Sequence, residues 1–343
     1  MTTIRTLHKS AIAGLCLTLA TSSASATCFR GVNLAGAEFG DLGGTYGQNY
    51  IYPSKETIRY FADKGLNTIR LPFLWERLQP ILGSDFDQDE LKRLRETVDA
   101  ARAEHLNIIL DVHNYAYFAG SMIGSHSTTV ADFADLWARL AKEFANQPDI
   151  SFGLMNEPHD IEAETWLDAS NQAIAAIRKT GAKNLVLVPG TIWTGAHSWF
   201  ATTEVGNNAE TMINIVDPGN NFAYEFHQYL DSNFSGTHDN CPRATDAVSA
   251  LENVTAWLKE NGKRGFLGEF GGSSDAACLK GMAAMVDYVN REKSVWLGWT
   301  YWAGGDWWPA SEPLNIQPHD GKDRPQITSL LRPGLEATSC GEP

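Results

Sequence analysis

The sequence predicts an α/β protein, a (β/α)8 TIM barrel with its active site at the C-terminal face of the strands. Three observations carry that reading. From Cys28 onward, short apolar runs alternate with longer amphipathic ones through eight units, the pattern of a parallel sheet covered on both faces. The segments that leave the apolar runs are long and rich in Trp, Gly, His and Asn (115–129, 190–216, 230–243 and 303–324), whereas those that enter them are short. No G-x-G-x-x-G follows the first run, as an open doubly wound sheet binding a dinucleotide would need.

The units follow in order. Phe29 to Leu34 reads as the first strand and Lys55 to Lys64 as a helix stopped by Gly65. Thr68 to Phe73 is the second strand, followed by a charged helix from about Asp89 to Glu104. Leu106 to His113 is the third, running from apolar to polar. The helix from Val130 to Ala145 carries Phe133, Leu136, Trp137, Leu140 and Phe144 at core-facing spacing. Ile150 to Asn156 is the fourth strand, followed by a helix from Ala163 to Thr180 closed by Gly181; Leu185 to Val188 is the fifth, stopped by Pro189-Gly190. Phe222 to Tyr229 is the sixth, with a helix from Ala244 to Asn261; Gly265 to Phe270 is the seventh, with a helix from Ala277 to Arg291. Val295 to Trp302 is the eighth, before a short last helix from Gln326 to Leu331.

At 343 residues, 43% hydrophobic and with 11 Trp, the chain suffices for one large core, and barrels of this length are commonly single domains. Residues 1–26 read as a secretory signal peptide. Arg5 and Lys9 form the charged start, Ala11 to Ala20 the apolar stretch and Ala24-Ser25-Ala26 the cleavage site, so the mature chain, 27–343, is one catalytic barrel domain and is secreted, extracellular. Loss of Arg5 and Lys9 takes the formal charge from −14 to −16. So acidic a chain is a poor partner for nucleic acid or an anionic membrane surface; no later apolar run is long enough to span a bilayer, and the expected state is a monomer acting on a neutral substrate.

Cys16 leaves with the signal, and an even set of four cysteines in a secreted chain favours disulfides. Three pairings are possible. The expected one joins Cys241 with Cys278 and Cys28 with Cys340, the latter tying the two chain ends together. No C-x-x-C is present to favour zinc.

Two stretches carry acids at strand ends. In G-L-M-N-E-P (153–158), an apolar strand runs into Asn156 and Glu157, and Pro158 should push Glu157 into extended geometry. In G-F-L-G-E-F-G (265–271), Glu269 ends another short apolar run. Paired carboxylates on fixed strand ends suggest a hydrolase. Further polar or aromatic residues end other strands: Arg70, His113, His227 with Tyr229, and Trp302. Each alone is compatible with ordinary packing; six strands with such residues at one end indicate a site. Neighbouring residues on a regular strand face opposite ways, so Asn156 and Glu157 share a substrate only if the strand breaks there.

The set I-R-L-P-F (69–73), D-V-H-N-Y (111–115), M-N-E-P (155–158), E-F-H-Q-Y (225–229), G-E-F-G (268–271) and W-T-Y-W-A-G-G (299–305) resembles glycoside hydrolase family 5, most closely its secreted endo-β-1,4-glucanases, the cellulases. The resemblance covers nearly all of the mature chain. It implies retaining hydrolysis of internal bonds in a β-glucan polysaccharide without cofactor or metal, with Glu157 as acid/base and Glu269 as nucleophile. It further implies that Arg70 and Tyr229 donate to Glu269 and favour its ionised form, that His227 lies beside Glu157, and that Asn156 and His113 bind sugar hydroxyls. Trp302 would floor a sugar subsite, with a cis peptide to Ala303. Tyr115, Trp193, Trp199 and one of Trp307 or Trp308 are further candidate platforms.

Rival readings are another β-glycan substrate (mannan, mixed-linkage glucan or xylan), a carbohydrate-binding barrel without catalysis, and a metal site at Asp111, His113 and His227. The second would normally have replaced Glu157, Glu269 or Arg70, and no H-x-H or H-E-x-x-H supports the third.

Overall fold

The computed structural model describes residues 28–145 and 147–328. Eight parallel strands close into a barrel: β1 (Phe29–Leu34), β2 (Thr68–Phe73), β3 (Asn107–Val112), β4 (Ile150–Gly153), β5 (Val186–Pro189), β6 (Phe222–His227), β7 (Gly265–Glu269) and β8 (Trp296–Gly304), each beside its sequence neighbour, with β8 closing on β1. The main crossover helices are α1 (Lys55–Asp63), α2 (Gln88–Ala103), α3 (Val130–Phe144), α4 (Ala163–Lys179), α5 (Ala244–Glu260) and α6 (Ala276–Arg291). Side chains start several of them: Ser54 accepts the Thr57 N–H at α1, Asp87 that of Glu90 at α2, and Thr129 with Asp132 forms a reciprocal capping box at α3.

Between β5 and β6 no long helix forms. The crossover is instead a left-handed turn, further 3-10 turns and the single helical turn Asn208–Thr211. A short helix, Trp75–Leu78, and a two-stranded hairpin, Tyr117–Phe118 with Ser121–Met122, add to the face where the strands end. These small elements have too few residues to show a period. Met1 to Thr27 and Cys340 lie outside the described residues, and with them the signal peptide and the Cys28–Cys340 pairing; so does the end of the last helix. Cys241 and Cys278 are bonded, joining the loop after β6 to the start of α6.

The barrel divides by depth. Its lower interior is a small apolar plug of Ile109, Leu187, Ala223 and Phe266, separate from the large core between strands and helices, which buries Trp75, Trp137, Trp166, Trp199 and Trp296. The two-residue period of a strand carries each interior column upward. On β3 it climbs from Ile109 to Asp111 and His113; on β6 from Ala223 to Glu225 and His227. The plug thus supports a charged layer, and the charged layer opens at the C-terminal face.

Candidate active site

Arg70 is at the centre of that layer and is wholly buried. Its Nη1 lies 3.0 Å from Glu269 Oε1 and 2.9 Å from Asn33 Oδ1. Its Nη2 lies 2.9 Å from Asn156 Oδ1 and 3.1 Å from Asp111 Oδ1, and its Nε 3.0 Å from Glu225 Oε1. Burial alone would disfavour the charge, but the three carboxylates outweigh it and raise the guanidinium's pKa. Asn33, which donates to the Gly268 and Tyr301 carbonyls, ties this hub to β7 and β8.

Glu269 accepts from Arg70 and from the Tyr229 hydroxyl at 2.7 Å. Its side chain is 4% exposed, against 18% for Glu157. The donors match expectation, yet the net shift does not. Burial raises the pKa of Glu269 above the ordinary carboxylate value; His227 and Arg70 pull it down, and Glu157 adds to the rise. Desolvation outweighs the donors because the group is almost sealed from water. His227 sits between the two acids, with Nδ1 2.7 Å from Glu157 Oε1 and 3.4 Å from Glu269 Oε2. One ligand atom each from Glu157, His227 and Glu269 lie within 4.8 Å of one another. Among the described residues this is the trio close enough to hold a cation, rather than Asp111, His113 and His227, and its atoms already engage one another.

Both acids depend on breaks in strand geometry. Regular pairing of β4 ends at Gly153, and Asn156 is then held by its N–H to the Val112 carbonyl and its C=O to the Tyr115 N–H. Glu157 takes φ of +42°, the left-handed region, not the extended one expected before proline. Those backbone bonds and the Glu157–His227 contact outweigh the local preference, and the turn brings both side chains to the site. Glu269 has the same problem and a second solution. Phe266 and Gly268 already occupy the interior face of β7, and a register shift between Phe226 and His227 lets Glu269 enter as well.

His113 is buried, with Nδ1 2.7 Å from Asp111 and Nε2 3.2 Å from the Tyr115 hydroxyl. Burial opposes its charging, but Asp111 outweighs it and raises its pKa. Its ring stacks on Trp302 at 5.5 Å, and the Trp302–Ala303 peptide is cis. Trp308, not Trp307, is the indole beside Trp302, at 6.0 Å edge to face. Trp193, 48% exposed, stacks on His159 at 4.8 Å, leaving one face free. Tyr115 is 37% exposed and lies 5.9 Å from the same His159. Trp199 is no platform: it is fully buried against Tyr224, Phe226 and Trp257. An aromatic residue in a loop carries no mark of which way it turns.

Sequence reasoning overlooked several residues. Glu225 was missed and Asp111 was named only as a rival metal ligand; each precedes a site histidine by two positions, and that i, i+2 spacing was the signal available. Glu38, in the loop after β1, accepts the Gly36 N–H at 2.8 Å through Oε2, while its buried Oε1 has no hydrogen-bond partner among the described residues. Burial pushes its pKa up to about 7, against the pull of His113. Nothing in A-G-A-E-F-G marks it as a site acid.

A closed barrel with two carboxylates, an arginine hub and aromatic walls at the strands' C-terminal ends defines a carbohydrate-active hydrolase. The family model described as Cellulase (glycosyl hydrolase family 5) matches residues 23–305, and the chain belongs to that family. It is 38% identical over 296 residues to endo-β-1,4-glucanase B of Emericella nidulans, covering 85% of this chain and 87% of that one. Among solved structures, XacCel5A in complex with cellopentaose is similar at TM-score 0.87 and 46% identity, over 91% of this chain and 99% of that one. An endo-β-1,4-glucanase of Xanthomonas axonopodis pv. citri gives TM-score 0.88 and 45% identity, over 90% and 98%.

Proposed function

We propose that the protein is a secreted, retaining endo-β-1,4-glucanase that cuts internal bonds of cellulose-type glucan by double displacement. The observation that supports this most is the proximity of Glu157 and Glu269, whose facing atoms fall within 4.8 Å. Retaining pairs stand about 5–5.5 Å apart, whereas inverting pairs leave about 6.5–9.5 Å for a water.

In the first step Glu269 forms a bond to the anomeric carbon while Glu157 gives its proton to the departing glycosidic oxygen. In the second, Glu157 takes a proton from water, which displaces Glu269 and restores the sugar. Glu269 is suited to attack because Arg70 and Tyr229 hold it from two sides and fix its direction. Asn156 spends Oδ1 on Arg70, leaving its amide nitrogen for a sugar hydroxyl. Trp302 presents a flat face to the donor-side sugar. Trp193, adjoining the acid's own loop, faces the leaving group.

The relatives named above supply the glucan specificity of this reading, and cleavage of residues 1–26 would release residues 27–343 as one monomeric catalytic domain. Among the described residues no helix is long and apolar enough to cross a membrane. NMR of the first product from a soluble β-glucan should show the β anomer; an initial α anomer overturns the mechanism. Rates on carboxymethyl-cellulose, barley glucan, mannan and xylan should rank the glucans first.

A further inference from the structure

Glu225 is fully buried in the interior column of β6, yet it lies too deep to touch a substrate. Its Oε1 is shared between Arg70 Nε at 3.0 Å and His227 Nε2 at 3.3 Å, and its Oε2 is buried without a hydrogen bond among the described residues. A half-satisfied buried carboxylate is costly, and an apolar residue of similar size would pack this position at less cost. The backbone opposite is shaped around it. A Cβ at Gly268 would fall 2.1 Å from Glu225 Oε1, so any side chain there would force the carboxylate to move. Gly268 directly precedes Glu269, so accommodation of the Glu225 carboxylate is part of the same strand end that presents Glu269.

The consequence lies one bond further out. His227 has two ring nitrogens, and they face different acids: Nε2 faces Glu225 and Nδ1 faces Glu157. A carboxylate can only accept, so Glu225 keeps the proton on Nε2 and leaves Nδ1 free either to accept from Glu157 or to donate to it. Building on the acid/base assignment of Glu157 above, we propose that Glu225 is a positioning residue that fixes the protonated nitrogen of His227, making Nδ1 the atom that shares a proton with Glu157 through the two steps of the reaction.

When Glu157 carries its proton, Nδ1 accepts and the imidazole is neutral. While the proton is shared, its place on Nδ1 leaves Glu157 a carboxylate beside a charged imidazole; once it has gone to the glycosidic oxygen, Nδ1 is bare and the imidazole is again neutral. When Glu157 has taken a proton from water, the starting arrangement returns. No proton is created or lost in the relay. The charged groups facing His227 are Glu157 beyond β4, Glu269 on β7 and Glu225 on β6, with Arg70 of β2 bound to the last two; the Tyr229 hydroxyl donates to Glu269 beside it. Together they push its pKa up to about 10 against the effect of burial. The charged imidazole is thus accessible throughout the working range, and its loss sets an alkaline limit.

The direct test is NMR of the intact enzyme carrying isotopically labelled histidine, with the His227 signals assigned from a His227→Asn variant. The expected result is a proton on Nε2 at every pH from about 5 to 9. A neutral ring protonated on Nδ1, with Nε2 bare, overturns the proposal. Glu225→Gln preserves size and removes the charge; kcat should fall about tenfold to a hundredfold with KM within about twofold, and the alkaline limb of the pH profile should move down by about one unit. Gly268→Ala, which displaces the carboxylate without deleting it, should move the limb the same way. Lost activity with an unmoved limb would make Glu225 merely structural and overturn the proposal. The tautomer is read without turnover, so it stands apart from the assignment of Glu157, whose failure would be seen instead as near-normal activity in Glu157→Gln.

Discussion

The two walls of the cleft are built by different means. The wall assigned above to the donor side rests on strands: Arg70, Glu225 and Glu269 lie on β2, β6 and β7, and Asn33 on β1 donates to β7 and β8. The wall assigned above to the leaving group rests on left-handed backbone. Tyr115, Ala116, Glu157 and Asp160 all have positive φ, and so do Ile192, Trp193 and Thr194 in succession. Each such non-glycine residue costs about 1–2 kcal/mol. Specific bonds hold the last three in place: the Thr194 hydroxyl donates to the Glu225 carbonyl at 2.6 Å and accepts from the Gly190 N–H at 2.9 Å, while Asn208 brackets Thr191. One wall is rigid because paired strands hold it, with a single register shift beside Glu269. The other keeps its shape through scattered side-chain and backbone bonds outside any ladder, and its exposed aromatic faces remain open to solvent.

Deleting either carboxylate should override this difference. Glu269→Gln and Glu157→Gln should each lower kcat by about 10³-fold or more with the circular dichroism spectrum unchanged; a near-normal rate in either removes that residue from its role. Arg70→Lys should then reveal the rigid wall. One ammonium cannot serve Asp111, Glu225 and Glu269 at once, so stability should fall by about 3–5 kcal/mol in urea titration, along with activity. A loss below about 1 kcal/mol would show that the strands alone hold the wall. Trp193→Ala should affect the open wall alone, raising KM about threefold to tenfold with kcat and thermal midpoint nearly unchanged.

The smallest effect concerns Glu38, beside the rigid wall. Its pKa is raised in the folded state to about 7, from 4.5. The folded protein therefore holds a proton that the unfolded chain releases, and stability falls as pH rises from 4.5 to about 7. Glu38→Gln removes that loss. Its thermal midpoint should match the parent's below the window and exceed it above; equal midpoints at both ends would mean that Glu38 ionises as if exposed. His113 and Asp111 on β3, Tyr115 beyond it and Arg77 beyond β2 share the surrounding field.

The same division decided what could be read from sequence. Residues on regular strands announce themselves, because a polar group after an apolar run has only one end of the barrel to occupy. Arg70, His113, His227, Glu269 and Trp302 were legible on that ground, and the alternation of runs gave the barrel. What the period could not supply was its own interruptions. The break at Asn156 was foreseeable from two adjacent polar residues with one substrate, yet the extended geometry assigned to Glu157 failed because tertiary hydrogen bonds overrode a local preference. The second break, beside Gly268, passed unseen because a glycine next to an acid gives no sign of a carboxylate packed against it from another strand. Trp193 and Trp199 look equivalent in the chain. One lies in the left-handed turn and faces solvent, while the other follows it and is buried.

One small bond joins the two aspects of the open wall. The Trp193 N–H donates to the Pro158 carbonyl at 3.0 Å, one residue beyond Glu157. The proposed platform and the proposed acid therefore share a reference point, as two tools clamped to one bed. Under the proposed function, a loop movement that raised the Trp193 indole would carry Glu157 with it, so the height at which the proton is delivered would follow the height of the platform.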